Sequence, residues 1–180
     1  AKKYRWLITH DLSHLPGIEF QYLGTNRTGE LTPASLEKIS EDADFNEKII
    51  RVVDKLIHED ERKSILVFAN TVTHAKLLST MIRSSIEENG KPVTSEFIHA
   101  GTHNDERCRF IKEFREQKLR VLCNYDILSQ GFDAPKVDAI VVARDTGSYV
   151  LHTQMIGRGL RGPRNGGTDE CRIVDFSSKI

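Results

Sequence analysis

The sequence predicts an α/β fold in which a parallel sheet is covered by helices on both faces. Three observations predict it. Short apolar runs recur along the chain, amphipathic stretches of helical period lie between them, and polar loops bearing Gly, Asn, Asp or Thr leave them. Strands that alternate with helices pair in parallel through crossovers. In such sheets ligands bind at the carboxyl ends of the strands.

Taken in order, residues 1–44 read as an N-terminal arm or interdomain connector and residues 45–180 as the domain proper. Within the arm, 17–23 alternates like a strand, 25–29 reads as a turn, and 33–39 opens a short helix. Phe45, Ile49, Val52, Val53, Leu56 and Ile57 then share one helical face, with Asp44 available as N-cap. Residues 64–68 form an apolar run of the kind buried on both faces of a parallel sheet. Thr73 can cap the next helix, which carries His74, Leu77, Leu78, Met81, Ile82 and Ile86 and stops at Gly90. Residues 95–99 form the second strand. The helix from Asn104 to about Gln117 turns Phe110, Ile111 and Phe114 inward. Residues 120–123, 138–143 and 171–176 are the remaining strands, with a helix over 148–157 before the last.

Composition narrows the function classes. Lys plus Arg and Asp plus Glu both count 26, so any nucleic-acid contact must come from a local patch and not from the overall field. Cys108, Cys123 and Cys171 are odd in number and far apart, which supports neither a zinc site nor a disulfide framework. A reducing cytoplasmic compartment follows as the default. No apolar run approaches the roughly 20 residues of a membrane span. His10, His14, His58 and His152 show no ligand spacing. His99, His103 and Asp105 lie close together, but they straddle a loop with Gly101, and no metal site is assigned.

Two stretches carry chemistry. Gln154-Met155-Ile156-Gly157-Arg158-Gly159-Leu160-Arg161-Gly162 holds an amide, two arginines and glycines that allow close approach of a polyanion. Guanidinium groups are planar, charged and forked, which suits phosphate oxygens. Three residues apart, the arginines would be neighbours on a helix. By itself the run is equally a basic helix end that favours the dipole. The second stretch follows the third strand. Asn124 and Asp126 leave the strand end, Gly131 permits a tight turn, and the Asp133 carboxylate can accept from ribose hydroxyls. By itself it is equally an Asx turn with a helix cap.

The order of the motifs separates these readings. Residues 64–70 come first, then Ile98-His99-Ala100-Gly101 with Glu106, Arg107 and Phe114. Residues 121–126 follow with Gly131-Phe132-Asp133-Ala134-Pro135, and Gln154-x-x-Gly157-Arg158-x-x-Arg161 closes the series. Over residues 45–176 the series resembles the second RecA-like domain of superfamily 2 helicases and translocases. Its wording is most similar to the DEAD/DEAH-related, restriction-enzyme branch.

The resemblance implies a RecA-like sheet sandwiched between helices, a P-loop NTPase-type fold without its own phosphate loop. No Gly-x-x-x-x-Gly-Lys-Ser/Thr occurs, and no Asp-Glu run follows a strand to hold Mg²⁺. It implies that Arg158 and Arg161, with Gln154 and Gly157 in the same motif, reach the γ-phosphate of ATP held on a partner domain. Gly131 and Asp133 would contact the nucleotide sugar. Asn70, Thr71, His99, Gly101, Asn124 and Asp126 would meet a nucleic-acid backbone, although Asn124 stands where many relatives carry Thr. The implied cofactor is ATP with Mg²⁺, bound mainly by the N-terminal RecA-like domain of the same parent chain. The implied substrate is DNA ahead of RNA, with no membrane partner. On this reading the chain is half of an ATP-hydrolysing helicase and inactive alone. The alternative is a non-catalytic binding module that keeps the fold.

Overall fold

In the computed structural model, which describes residues 7–8, 31–127, 136–144, 148–159, 161–162 and 166–176, the chain enters its first helices through a shared residue. Asp42 separates α1 (Pro33–Glu41) from α2 (Ala43–His58). Its backbone N–H donates to Ile39 O at 3.2 Å and so ends α1. Its carboxylate accepts from Phe45 N at 2.7 Å and so caps α2. The expected cap, Asp44, lies one residue inside α2, where its charge favours the positive end of the helix dipole. Ile39 joins the core from α1 beside buried Ser35 and Ser40.

β2 (Ile65–Ala69) forms the middle of the main sheet. It pairs in parallel with β6 (Val121–Tyr125) on one side and β7 (Ala139–Ala143) on the other. β5 (Ser95–His99) lies outside β6, β8 (Arg172–Asp175) outside β7, and β1 (Leu7–Ile8) outside β8, all parallel. The order is β1-β8-β7-β2-β6-β5. Every residue of β2 and β7 is buried, which explains why their sequences are apolar without alternation.

The strand period of two sends alternate side chains to opposite faces. Val67, Ala69, Val121, Cys123, Ala139 and Val141 pack with α1, α2 and α3 (Val72–Ser85). Leu66, Phe68, Leu122, Ile140 and Val142 pack with Phe114 of α4 (Asn104–Arg115) and Met155 of α5 (Tyr149–Gly157). The result is the expected three-layer arrangement.

Two helix ends differ from expectation. Thr71, not Thr73, caps α3, its hydroxyl accepting from His74 N at 3.0 Å. α3 ends at Ser85, before Gly90. Asn89 (φ 54°) and Gly90 (φ 72°) form the two-residue turn of an antiparallel hairpin between β3 (Glu87–Glu88) and β4 (Lys91–Pro92). Asn-Gly supplies the two left-handed residues that this turn requires. Ile86, in step with the helical apolar positions, hides the boundary. The strand and turn expected over 17–23 and 25–29 lie outside the described residues. No helix among the described residues is long and apolar enough to cross a membrane.

Candidate functional site

α5 begins at Ser148, whose hydroxyl accepts from Leu151 N at 3.3 Å. Near that end His152 Nε2 lies 2.6 Å from Oδ2 of Asp175, the last residue of β8. Near the other end, a Cβ on Gly159 would stand 2.3 Å from Cys171 Sγ and 2.9 Å from Ile140 Cδ1. Cys171 directly precedes β8, and Ile140 is the second residue of β7. α5 therefore runs antiparallel to these strands, from the carboxyl edge of the sheet to the amino edge. Glycine is required at 159 because any side chain would enter the core.

The helix closes at Arg158, whose N–H donates to Met155 O at 3.2 Å, while Gly159 N–H donates to Ile156 O at 3.0 Å. These shortened bonds tighten the last turn. Arg161 thus lies beyond the helix, and the helical-neighbour relation expected for the two arginines does not hold. The chain then folds back through Gly167 N–H to Gly162 O at 2.9 Å, and the Thr168 hydroxyl reaches Val137 O ahead of β7. Both arginines are half-buried and engaged by other groups of the chain. Gln154 is exposed, and the space around Gly157 is open to at least 4 Å.

The opposite edge gathers the other predicted residues. Asn70 directly follows β2 and is fully buried, its backbone N–H donating to His74 Nδ1 at 3.2 Å. Thr71 is spent on the α3 cap. His99 ends β5, its ring stacked on Phe97 at 6.2 Å and 7°. Its N–H donates to the Thr102 hydroxyl at 2.9 Å, and its Nδ1 accepts from Gly101 N–H at 3.1 Å. Asn124 does not leave the strand end. It sits inside β6, 2% exposed, with Nδ2 donating to Val67 O at 2.9 Å. Tyr125 takes the edge position in register with His99. Asp126 follows, exposed, at φ 57° and 3.8 Å from Arg144 Nη1. The Arg144 guanidinium lies 5.0 Å above the Tyr125 ring. Gly131 and Asp133 lie outside the described residues.

The structure thus brings Thr71, His99, Gly101 and Asp126 to one edge, with Asn70 and Asn124 beneath it. It places Arg158 and Arg161 at the other. Sequence reasoning marks Arg144 only as the start of a polar strand-end loop, with no role of its own, and does not find the His152–Asp175 contact. The latter joins residues 23 apart in sequence, and no local pattern marks it. Burial pushes the Cys123 and Cys171 thiols up to about 12 and lowers the His74 imidazole to about 4. These groups belong to the core, not to a reactive centre.

A parallel three-layer sheet with an arginine turn at one edge and polar strand-end loops at the other defines a RecA-like domain. Residues 47–162 match the family described as the helicase conserved C-terminal domain, and the chain belongs to it as the C-terminal domain of a superfamily 2 helicase. It is 32% identical over 143 residues to IRC3 of Saccharomyces cerevisiae, named as a candidate ATP-dependent helicase, covering 79% of this chain and 20% of that protein. It is 28% identical over 149 residues to the pre-mRNA-splicing ATP-dependent RNA helicase PRP28 of Scheffersomyces stipitis, covering 82% of this chain and 28% of that one. The chain therefore spans less than a third of either relative. The fold also matches the C-terminal domain of the DEAD-box protein Dbp5, with TM-score 0.57 and 23% identity over 78% of this chain and 73% of that one.

Proposed function

We propose that this domain completes an ATP site held mainly on a preceding RecA-like domain and grips a nucleic-acid strand with its carboxyl-edge loops. Arg158 and Arg161 supply positive charge to the γ-phosphate. A guanidinium there offsets the charge that builds on the transferring phosphoryl oxygens, worth about 10³–10⁵ in rate. Gln154 is exposed on α5 about one turn before Arg158, Gly157 leaves room beside the phosphates, and Gly131 and Asp133 meet the sugar.

ATP brings Mg²⁺. The guanidinium groups suit phosphate charge, but no cluster of three or more His, Cys, Asp or Glu fit for a metal occurs among the described residues. The metal ligands and the phosphate cradle are therefore assigned to the preceding domain, and the isolated chain is expected to turn over no ATP.

The observation that carries this reading is the seating of the arginine turn. Gly159 is packed so closely on Cys171 and Ile140 that Arg158 and Arg161 issue from a fixed point, a helix length from the strand-end loops. A group held that firmly is preorganised for a charge that appears only in the transition state. At the other edge Thr71, His99, Gly101 and Asp126 face a nucleic-acid backbone, with Asn70 and Asn124 supporting them from beneath. DNA is the first substrate to test, because the Gly131-Phe132-Asp133 and Gln154-to-Arg161 wording resembles duplex translocases.

The test is Arg161→Ala in the full-length helicase. Nucleic-acid-stimulated hydrolysis is expected to fall about 10³-fold with ATP binding retained. Hydrolysis near wild type would sink the arginine role. Greater stimulation by single-stranded RNA than by DNA of the same sequence would reverse the substrate choice.

A further inference from the structure

A buried pair lies beneath α5, apart from the groups assigned to nucleotide or nucleic acid. His152 Nε2 and Asp175 Oδ2 are 2.6 Å apart, with side chains only 10% and 6% exposed. His152 is in the first turn of α5 and Asp175 closes β8. The contact therefore ties the arginine-bearing helix to the sheet at the carboxyl edge. The helix also makes apolar contacts with the sheet. Met155 is buried and Leu151 and Ile156 partly so, while Tyr149 and Val150 are 80% and 64% exposed. Apolar burial has no preferred direction, and a helix held by it alone can slide or roll. A hydrogen bond between imidazole and carboxylate fixes both motions.

α5 is thus held at two points, His152 on Asp175 at one end and Gly159 on Cys171 at the other. From His152 to Arg158 is six residues, about 9 Å of helical rise. A roll or slide at the first point is carried along the rigid helix to the second.

We propose that His152 and Asp175 are positioning residues for Arg158 and Arg161, holding α5 in the one rotation and axial setting that presents the arginine turn to the nucleotide phosphates. This rests on the arginine role proposed above. His152 touches no substrate. Its loss misplaces the guanidinium groups, and a misplacement of about 1 Å can cost about 10²-fold in rate. ATP affinity, set mainly by the preceding domain, stays unchanged.

The experiment is a double-mutant cycle on the full-length helicase, reading nucleic-acid-stimulated kcat and KM for ATP. Arg161→Ala is expected to lower kcat about 10³-fold. His152→Ala should lower it about 10- to 100-fold with KM unchanged within about twofold. The double variant should fall less below Arg161→Ala than His152→Ala falls below wild type, because only Arg158 is left to position. If His152→Ala slows the Arg161→Ala enzyme by the factor it slows wild type, the pair acts independently of the arginines and the proposal fails. If Arg161→Ala keeps wild-type kcat, the arginine role fails first and the positioning role with it. His152→Gln, whose amide can still donate to Asp175, is expected to hold kcat within about threefold of wild type. It replaces the Ala variant in the cycle should that variant melt below the assay temperature. A Gln enzyme slowed as much as His152→Ala also overturns the proposal.

Discussion

His74 Nε2 lies 2.9 Å from Asn46 Oδ1, joining α3 to α2 through a fully buried imidazole. The other ring nitrogen accepts from Asn70 N–H, and Asn46 passes the chain of bonds on to Ser40 O at 2.9 Å. Nε2 must therefore donate and Nδ1 accept, so the ring is neutral and a second proton has no acceptor. Burial lowers its pKa from 6.5 to about 4. A group whose folded pKa is depressed contributes stability that is present above its unfolded pKa and lost as pH falls through the folded one. Between pH 6.5 and 4 this histidine should cost the fold about 3–4 kcal/mol, at about 1.4 kcal/mol for each step in pH across that window. Urea unfolding at pH 7 and pH 4 measures it. His74→Gln, which cannot titrate, should show a flatter profile. An unchanged slope would assign the acid sensitivity elsewhere.

At Gly159 a methyl group has no room. Gly159→Ala would press Cys171 Sγ and Ile140 Cδ1, and overpacking of this kind costs about 1–3 kcal/mol. Cys171→Ala removes the nearer atom. The double variant should therefore be more stable than the sum of the two single losses predicts. Chemical denaturation of the four proteins decides it, and simple additivity would mean that the turn moves aside without pressing on Cys171.

Asp42 and Asp44 are separable by mutation. Asp42→Ala removes the carboxylate that accepts from Phe45 N and should cost about 1 kcal/mol. Asp44→Ala removes only a charge in the first turn, worth about 0.3–1 kcal/mol at low salt and less as salt is added. Equal and equally salt-sensitive losses would remove the distinction.

The three cysteines should separate cleanly under alkylation. Cys108 is exposed, whereas Cys123 and Cys171 are buried with thiols pushed up to about 12. At pH 8 the native domain should lose one thiol quickly to iodoacetamide, and the other two only in denaturant. Mass spectrometry of the time course reads this directly. Early labelling of Cys171 would show that the arginine turn opens.

What could be read in advance follows from how local each determinant is. β2 and β7 are continuous apolar runs, and burial on both faces demands nothing subtler. Both caps stand two residues before the side chain that the sequence favours, because Asp42-x-Asp44 and Thr71-x-Thr73 each offer two suitable side chains. Only backbone geometry decides which one meets the free N–H. The β3–β4 hairpin carried its signal in Asn89-Gly90, but the helical spacing of Ile86 drew the helix across it. Arg161 follows a helix end whose position is set by Gly159 meeting β7 and β8. Asn124 reads as an edge residue in the sequence because nothing local marks that β6 continues to Tyr125. The contact between His152 and Asp175 depends wholly on the crossover of α5, which no window of neighbouring residues contains.

α5 separates the two edges of the sheet by about 13 Å of helix, and this separation bears on how such a domain diversifies. Substitutions at His99, Thr102, Tyr125 or Asp126 alter what the carboxyl edge can meet without disturbing the packing of Gly159 on Cys171. Substitutions at Gly159, Cys171 or Ile140 do the reverse. The two surfaces can therefore drift at their own pace, and a carboxyl edge grafted from a relative would inherit the arginine turn of its host.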